Sequence, residues 1–495
     1  MKFSPEETAL VDETVRDTLL SWLLTGEIDE LPEEERHDAL RMGRHWLKPD
    51  GRSPDEVWSA WGGTLVRLVR FYRDGFLLKQ AVETAEEFAA SRPGGWPVVL
   101  VRVDWQLDIS EVLSTFGDHQ HAAQILRSLK VDLEKTGPMD AARLRELGVV
   151  CWQLGDVELL CGQTVAALEA SREGLVLFRR LAAKFGETPD NLRNVAISLN
   201  RVSRVERDFK RARTASREGL RLFKRLVVEL GATPQSLNDV NISLGIVCNV
   251  ELSQQNYNSA LAACDEGLAI CKRLIDEFGV TPKRLRAASI SYITLAHVKL
   301  SLGKYASALS ASSESIALAQ QLVAEFGSTP ERLRGLAISY LKVADVHLKL
   351  ENRESALATY RESLALRQRI ATEFGETHQS LRDIGVVLIR LADLSSGNHK
   401  EALAAHHDIF TRFKRIVDEF GKTPESLRDM MAATFKLAIA EGNNGDNASA
   451  VERLRRAQQL KDQLKALGWH VPKDNEEFDI IDATLWALTM TDSKS

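Results

Sequence analysis

The sequence predicts an all-α solenoid of about nine helical hairpins closed by helical caps. Three observations predict it. A phrase of the form Phe-Gly-x-Thr-Pro recurs at a nearly constant step, and a second break falls midway between successive copies. Apolar residues on either side of each break follow helical rather than alternating spacing.

The copies read KFGETPDNLR, ELGATPQSLN, EFGVTPKRLR, EFGSTPERLR, EFGETHQSLR and EFGKTPESLR. Their glycines, Gly186, Gly231, Gly279, Gly327, Gly375 and Gly421, stand 45, 48, 48, 48 and 46 residues apart. A fainter copy, Thr136-Gly137-Pro138, lies 49 residues before Gly186. Glycine tolerates the left-handed backbone that closes a helix. Threonine two residues on accepts from free N–H groups as an N-cap, and proline next fits the first turn, where its missing donor costs nothing. Each phrase thus ends one helix and starts another. Asp190, Glu331 and Glu425 add negative charge near the new helix start, and His378 takes the place of proline once.

The intermediate breaks read SQQNY (253–257), SLGKY (301–305), LENRE (350–354) and SGNHK (396–400). Within 282–326, Leu285, Ile290, Ile293, Ala296 and Leu300 mark one helix face, and Ala308, Leu309, Ile316 and Leu322 the next. Each unit reads as a hairpin of two helices of about 20 residues, roughly 30 Å long. The Val-rich run 98–103 reads as a helix start, because WQLDISEVLSTFG continues it at helical spacing.

LAHVKLSLGKYASAL (295–309) resembles the tetratricopeptide repeat signature. Ala296 sits at the small position of the first helix, Gly303 and Tyr305 at the turn, and Ala308 at the small position of the second. Ala344 with Ala356, Ala392 with Ala402, and Cys248 with Ala260 repeat the pattern. The resemblance is to a long-unit variant of about 48 residues, of the kind known in kinesin light chains and bacterial signalling proteins. It covers 138–467 well and 53–137 loosely, through turns at Gly75 and Gly117. It implies a right-handed superhelix with a concave groove for peptide or protein ligands.

The ends differ from the middle. Trp22, Trp46, Trp58, Trp61, Trp96, Trp105 and Trp152 crowd the first third, Trp469 and Trp486 lie near the end, and none lies between 153 and 468. Terminal units of a solenoid have one neighbour and need an atypical closing face. The expected division is a helical cap or domain over 1–95, the solenoid over 96–467, and a cap and tail over 468–495. Candidate joints are Lys48-Pro49-Asp50-Gly51 and Arg92-Pro93-Gly94-Gly95.

Composition narrows the function classes. Lys and Arg number 64 against 70 Asp and Glu, a net charge of −6, which does not suggest a protein built chiefly for nucleic acid. No run of about 18 apolar residues is present, so no spanning helix is expected. The start MKFSPEETALVDETV lacks the basic and apolar regions of a signal peptide, and a cytoplasmic location is expected. Five cysteines without a CxxC pair read as reduced, buried thiols. Gly421-Lys422-Thr423 lacks the glycine five residues earlier that a phosphate loop needs; Ile416 stands there. The histidines at 119, 121, 399, 406 and 407, and Cys264 with Cys271, do not form a metal-ligand pattern. The chain is expected to be non-enzymatic, without cofactor or metal.

Two columns and one block are candidate sites. Following the first helical leucine stand Arg193, Asn238, Arg286, Arg334, Arg382 and Arg428, an arginine ladder that either binds a partner or pairs with Glu277, Glu325, Glu373 and Glu419. Following the small residue of the first helix stand Asn249, His297, Asp345 and Asp393, the position that the resemblance places on the groove wall. Residues 201–225 hold ten Lys or Arg against three acids, with Arg204, Lys210 and Arg211 as candidate contacts. This block suits an acidic protein partner ahead of nucleic acid, because only Phe209 and Phe223 are there to stack bases.

The expected function is that of a scaffold or adaptor gripping a peptide or protein in the groove. By resemblance, it is a regulator or substrate in a bacterial signalling or antiviral system with a caspase-like peptidase. The alternatives are an effector or enzymatic activity in the first 95 residues, and nucleic-acid binding through 201–225.

Overall fold

A computed structural model describes residues 5–74, 78–91, 102–115, 117–135, 138–394, 399–420, 422, 424–466 and 484. All regular structure among them is helical. The chain divides into two compact units, Met1–Val157 and Glu158–Ser495.

The first unit holds α1 (Pro5–Thr25), a 3-10 turn (Glu27–Glu30), α2 (Glu33–Trp46), α3 (Asp55–Asp74), α4 (Leu78–Ser91), α5 (Val103–Thr115), α6 (His119–Lys135) and most of α7 (Ala141–Leu160). Helix α3 packs on α1, α2, α4 and α5. Trp61 and Trp105 are buried there, and Trp58 meets Trp61 edge-on at 6.2 Å between centroids. Helix α5 starts at Val103, at the end of the Val-rich run; residues 98–101, the turn at Gly75, and the joint at 92–95 lie outside the described residues.

The second unit runs through α8 (Thr164–Phe185), α9 (Pro189–Val205), α10 (Phe209–Leu230), α11 (Pro234–Ser253), α12 (Tyr257–Phe278), α13 (Pro282–Ser301) and α14 (Tyr305–Phe326). It continues with α15 (Pro330–Lys349), α16 (Arg353–Phe374), α17 (His378–Leu394), α18 (His399–Phe420), α19 (Pro424–Asn443) and α20 (Asn447–Ala466). Consecutive helices pack against each other throughout. The boundaries fall where the phrase places them. The hydroxyls of Thr188, Thr233, Thr281 and Thr329 accept from the backbone N–H three residues on, and at Thr233 the Ser236 hydroxyl returns the bond to complete a capping box. Residues 467–483 and 485–495, Gly421 and Thr423 lie outside the described residues.

The phrase glycines hold a different conformation from the one expected. Gly186, Gly231, Gly279, Gly327 and Gly375 have φ between 81° and 99° with ψ between 150° and 173°. This is an extended positive-φ region essentially reserved to glycine, not the left-handed helical well. The chain leaves each helix straight into an extended Gly-x-Thr rather than through a tight curl. The tight curl occurs at the intermediate breaks, where Gln255, Gly303 and Glu351 have φ of 59°, 70° and 58°. There the N–H groups of Asn256, Lys304 and Asn352 donate to the carbonyls of Glu251, Lys299 and His347, each at 2.9 Å. That bond five residues back is the Schellman closure.

Within each hairpin the two helices approach at a fixed register. Twelve residues before each phrase glycine stands Gly174, Gly219, Gly267, Ser315 or Ser363, all buried. A Cβ on Gly219 would stand 3.1 Å from the Ala196 carbonyl, and one on Gly267 3.1 Å from Asn241 Oδ1. Ser315 and Ser289 hydroxyls meet at 3.0 Å, and Ser363 donates to the Ala337 carbonyl at 2.8 Å. In the α17–α18 hairpin the small residue changes sides: Ile409 takes the place on the second helix, Gly385 stands on the first, and Phe413 covers it.

Candidate functional site

The arginine column ties one hairpin to the next. Arg193 reaches Asp239 through Nε at 2.5 Å and Nη2 at 3.0 Å. Arg334 reaches Asp383 at 2.7 Å, and Arg382 holds Asp429 through Nε and Glu425 through Nη1 at 2.8 Å. In these three pairs the acid stands one place after the column position of the following unit. Gly335 occupies that place after Arg286, which turns to the exposed Glu331 at 3.4 Å instead. The acids before the phrase glycines are engaged locally, which corrects the expected pairing. Glu277, Glu373 and Glu419 hold Arg273, Arg369 and Arg415 of their own helices at 2.7–2.8 Å, and Glu325 accepts from Gln321. A side chain four residues earlier on the same turn reaches them before a neighbouring hairpin can.

The polar column is longer than the sequence reading made it. Arg204, eighteen residues after Gly186, holds the same register as Asn249, His297, Asp345 and Asp393 after their own glycines. The column therefore runs Arg, Asn, His, Asp, Asp along α9, α11, α13, α15 and α17. Arg204, Asn249, His297 and Asp393 are exposed. Asp345 is half-buried, accepts from the Tyr360 hydroxyl at 2.6 Å and lies 3.6 Å from Lys342 Nζ. Burial, and then Asp345 beside it, push the Tyr360 phenol above its ordinary range. Asp393 receives Lys436 Nζ at 2.9 and 3.0 Å. The shared offset of eighteen was the signal for Arg204; its place in the basic block hid it.

The basic block is largely answered by acids. Arg213 and Arg217 converge on Glu251 at 2.9 and 2.7 Å, and Asn256 donates to the other oxygen of that buried carboxylate at 3.0 Å. Lys224 pairs with Glu266 at 2.6 Å, and Arg225 with Glu229 at 2.6 Å and Glu187 at 3.3 Å. Lys210 and Arg211 are exposed, and their backbone N–H groups donate to Asp208, which caps α10. Those bonds, Arg211's foremost, hold the Asp208 carboxyl below its usual range.

Among the described residues, no group of three or more His, Cys, Asp or Glu side chains is placed to hold a metal ion. All five cysteines are buried, and none is in a disulfide. Cys264 lies 2.9 Å from Cys248, and Cys271 lies 3.5 Å from the Ser291 hydroxyl. The hydrogen bond to Cys248, and then burial, push the Cys264 thiol well above its ordinary range. Among the described residues no helix is long and apolar enough to cross a membrane.

The consecutive hairpins define a helical-repeat protein of tetratricopeptide-like architecture. Similar solved structures include BtubC (BKLC) from P. vanneervenii, 16% identical over 54% of this chain and 95% of that one, TM-score 0.41. The apo quorum sensor NprR from B. thuringiensis is 11% identical over 91% and 98%, TM-score 0.44. A Rap protein complexed with Competence and Sporulation Factor is 13% identical over 82% and 99%, TM-score 0.44. No protein-family model and no curated protein matches the chain.

Proposed function

We propose that the chain is a non-catalytic scaffold whose second unit grips a peptide or protein segment along the polar column, from Arg204 through Asn249, His297 and Asp345 to Asp393. The observation that carries this reading is the register itself. Five polar or charged side chains hold one position on successive first helices, where packing alone would accept any solvated residue. The column is cationic at Arg204 and carboxylate-bearing at Asp345 and Asp393. It suits a ligand with an acidic group at one end and donors at the other, which also fixes its direction. Arg286, with its weak tie to Glu331, is a further contact; Arg334 and Arg382 chiefly hold hairpins together. The regulatory or antiviral setting remains part of this proposal and rests on resemblance alone.

The test is affinity capture from native cell extract with the full chain and with Asn249→Lys/His297→Lys, read by mass spectrometry. A protein partner retained by the parent and weakened at least tenfold by the pair supports the groove. A partner bound equally by both chains overturns it. Charge reversal of Asp345 and Asp393 to Lys is the companion variant and is expected to weaken the same partner.

A further inference from the structure

The first unit contains a cavity of about 770 Å³ whose lining draws on α1, the 3-10 turn, α2, α3 and the start of α5. That volume suits a small-molecule ligand. Its charged lining is cationic, four arginines against Asp29 and Asp104, in a chain of net charge −6. Four guanidinium groups, Arg36, Arg67, Arg70 and Arg102, face it. Three are answered by carboxylates. Arg67 forms a two-pronged pair with Asp29 at 2.9 and 2.7 Å, Arg70 is held by Asp108, and Arg102 lies 3.3 Å from Asp104.

Arg36 is different. Its Nη1 donates to the main-chain carbonyl of Asp29 at 3.3 Å, and its charge acts on the Asp29 carboxylate, which is held by Arg67, without a direct ion pair among the described residues. A half-buried guanidinium with spare donors is poised for a carboxylate or phosphate. Beside Asp29, Asp104 and Ser59, the rest of the wall is apolar and aromatic. Trp105 is 7% exposed, carries Arg102 4.5 Å above its ring, and is joined in the lining by Phe71. Gly63 lets Arg67 and the Trp105 ring close onto α3: a Cβ there would stand 3.1 Å from Arg67 Nη1 and 3.3 Å from the Trp105 ring. Leu24 and Arg102 are exposed at the lining, so the cavity communicates with solvent.

We propose that this cavity binds a small organic anion, a carboxylate or phosphate carried on an aromatic or aliphatic body, with its charge against Arg36 and its body against Phe71 and Trp105. The site is independent of the groove in the second unit, so either stands if the other falls. Asp29, held below the usual carboxylate range chiefly by its hydrogen bond from Arg67, stays ionised and keeps Arg67 in place beside the ligand.

The test uses the full chain and the aromatic sulfonate 8-anilinonaphthalene-1-sulfonate as probe. Its fluorescence should rise to saturation at one site. Arg36→Gln should weaken binding at least tenfold, and Ser59→Trp, which fills the lining from α3, should abolish it. Arg207→Gln, on the exposed surface of the other unit, should change nothing. AMP, indole-3-acetate and adenosine serve as competitors. Displacement by AMP alone assigns a phosphate ligand, and displacement by indole-3-acetate alone assigns a carboxylate; both support the site. No saturable binding, titrations unchanged in Arg36→Gln and Ser59→Trp with native circular dichroism, or displacement by uncharged adenosine as effective as by AMP would overturn it.

Discussion

Arg367 of α16 places its Nη1 3.1 Å from Asp383 of α17, with only 4% of its side chain exposed. The same carboxylate receives Arg334 of α15 at 2.7 Å and Gln379 at 2.7 Å, while Arg367 Nε donates to Ser363 at 3.3 Å. Three successive helices thus meet on one carboxylate. Burial pulls the Arg367 pKa down, and Asp383 works against that pull.

Removing the anion leaves a buried cation, whereas removing the cation leaves an acid that Arg334 still answers. Asp383→Asn is therefore expected to lower stability by about 3 kcal/mol, and Arg367→Met to be nearly neutral. Urea midpoints at unchanged slope measure both. Equal losses from the two substitutions would show that Arg367 is not the costly partner.

The exchange of small and large residues in the α17–α18 hairpin gives a second prediction. A Cβ on Gly385 would stand 2.6 and 2.8 Å from the ring of Phe413, which is 1% exposed. Gly385→Ala should cost about 1–3 kcal/mol by overpacking. Trimming the ring in Gly385→Ala/Phe413→Leu should recover part of that loss, so the double-mutant cycle should show coupling. Strict additivity would place the two side chains out of contact.

The repeat made the hairpins legible, because glycine, threonine and proline each act on the backbone locally. Those three residues place helix ends wherever they stand, as the caps at Thr188, Thr233, Thr281 and Thr329 show. Partner choice was less legible. The acids chosen by sequence for the arginine ladder were the recurring Glu277, Glu325, Glu373 and Glu419, yet Asp239, Asp383 and Asp429 hold it. A ladder contact depends on how successive hairpins stack, and that offset is not a local property. The small column Gly174, Gly219, Gly267, Ser315 and Ser363 did carry a signal, a fixed distance of twelve from five of the six phrase glycines. The cavity of the first unit carried none, since Asp29, Arg67 and Trp105 meet across 38 residues on either side with no repeat to align them.

The intermediate turns give a third prediction. Gln255 and Glu351 hold the positive φ that Gly303 holds in the intervening unit. A side chain there costs about 1 kcal/mol in left-handed strain. Glu351→Gly should raise the thermal midpoint, and Gly303→Ala should lower it. A fall in the midpoint with Glu351→Gly would mean that the Glu351 side chain contributes more than its strain costs.

The last prediction concerns pH. His406 is 6% exposed, and its Nδ1 is buried without a hydrogen-bond partner. Burial pushes its pKa down; Asp393 opposes this and Lys436 adds to it. Burial lowers His347 and His378 as well. A histidine kept neutral in the folded chain is protonated first in the unfolded chain, so its contribution is complete above about pH 6.5 and is lost as pH falls through the folded value. The limiting slope is about 1.4 kcal/mol per pH unit for one proton. The midpoint should therefore fall between pH 7.5 and 5.5, and His406→Gln, neutral throughout, should shrink that fall. An identical fall in the variant would show that His406 is charged in the folded chain at pH 5.5, with Asp393 outweighing burial.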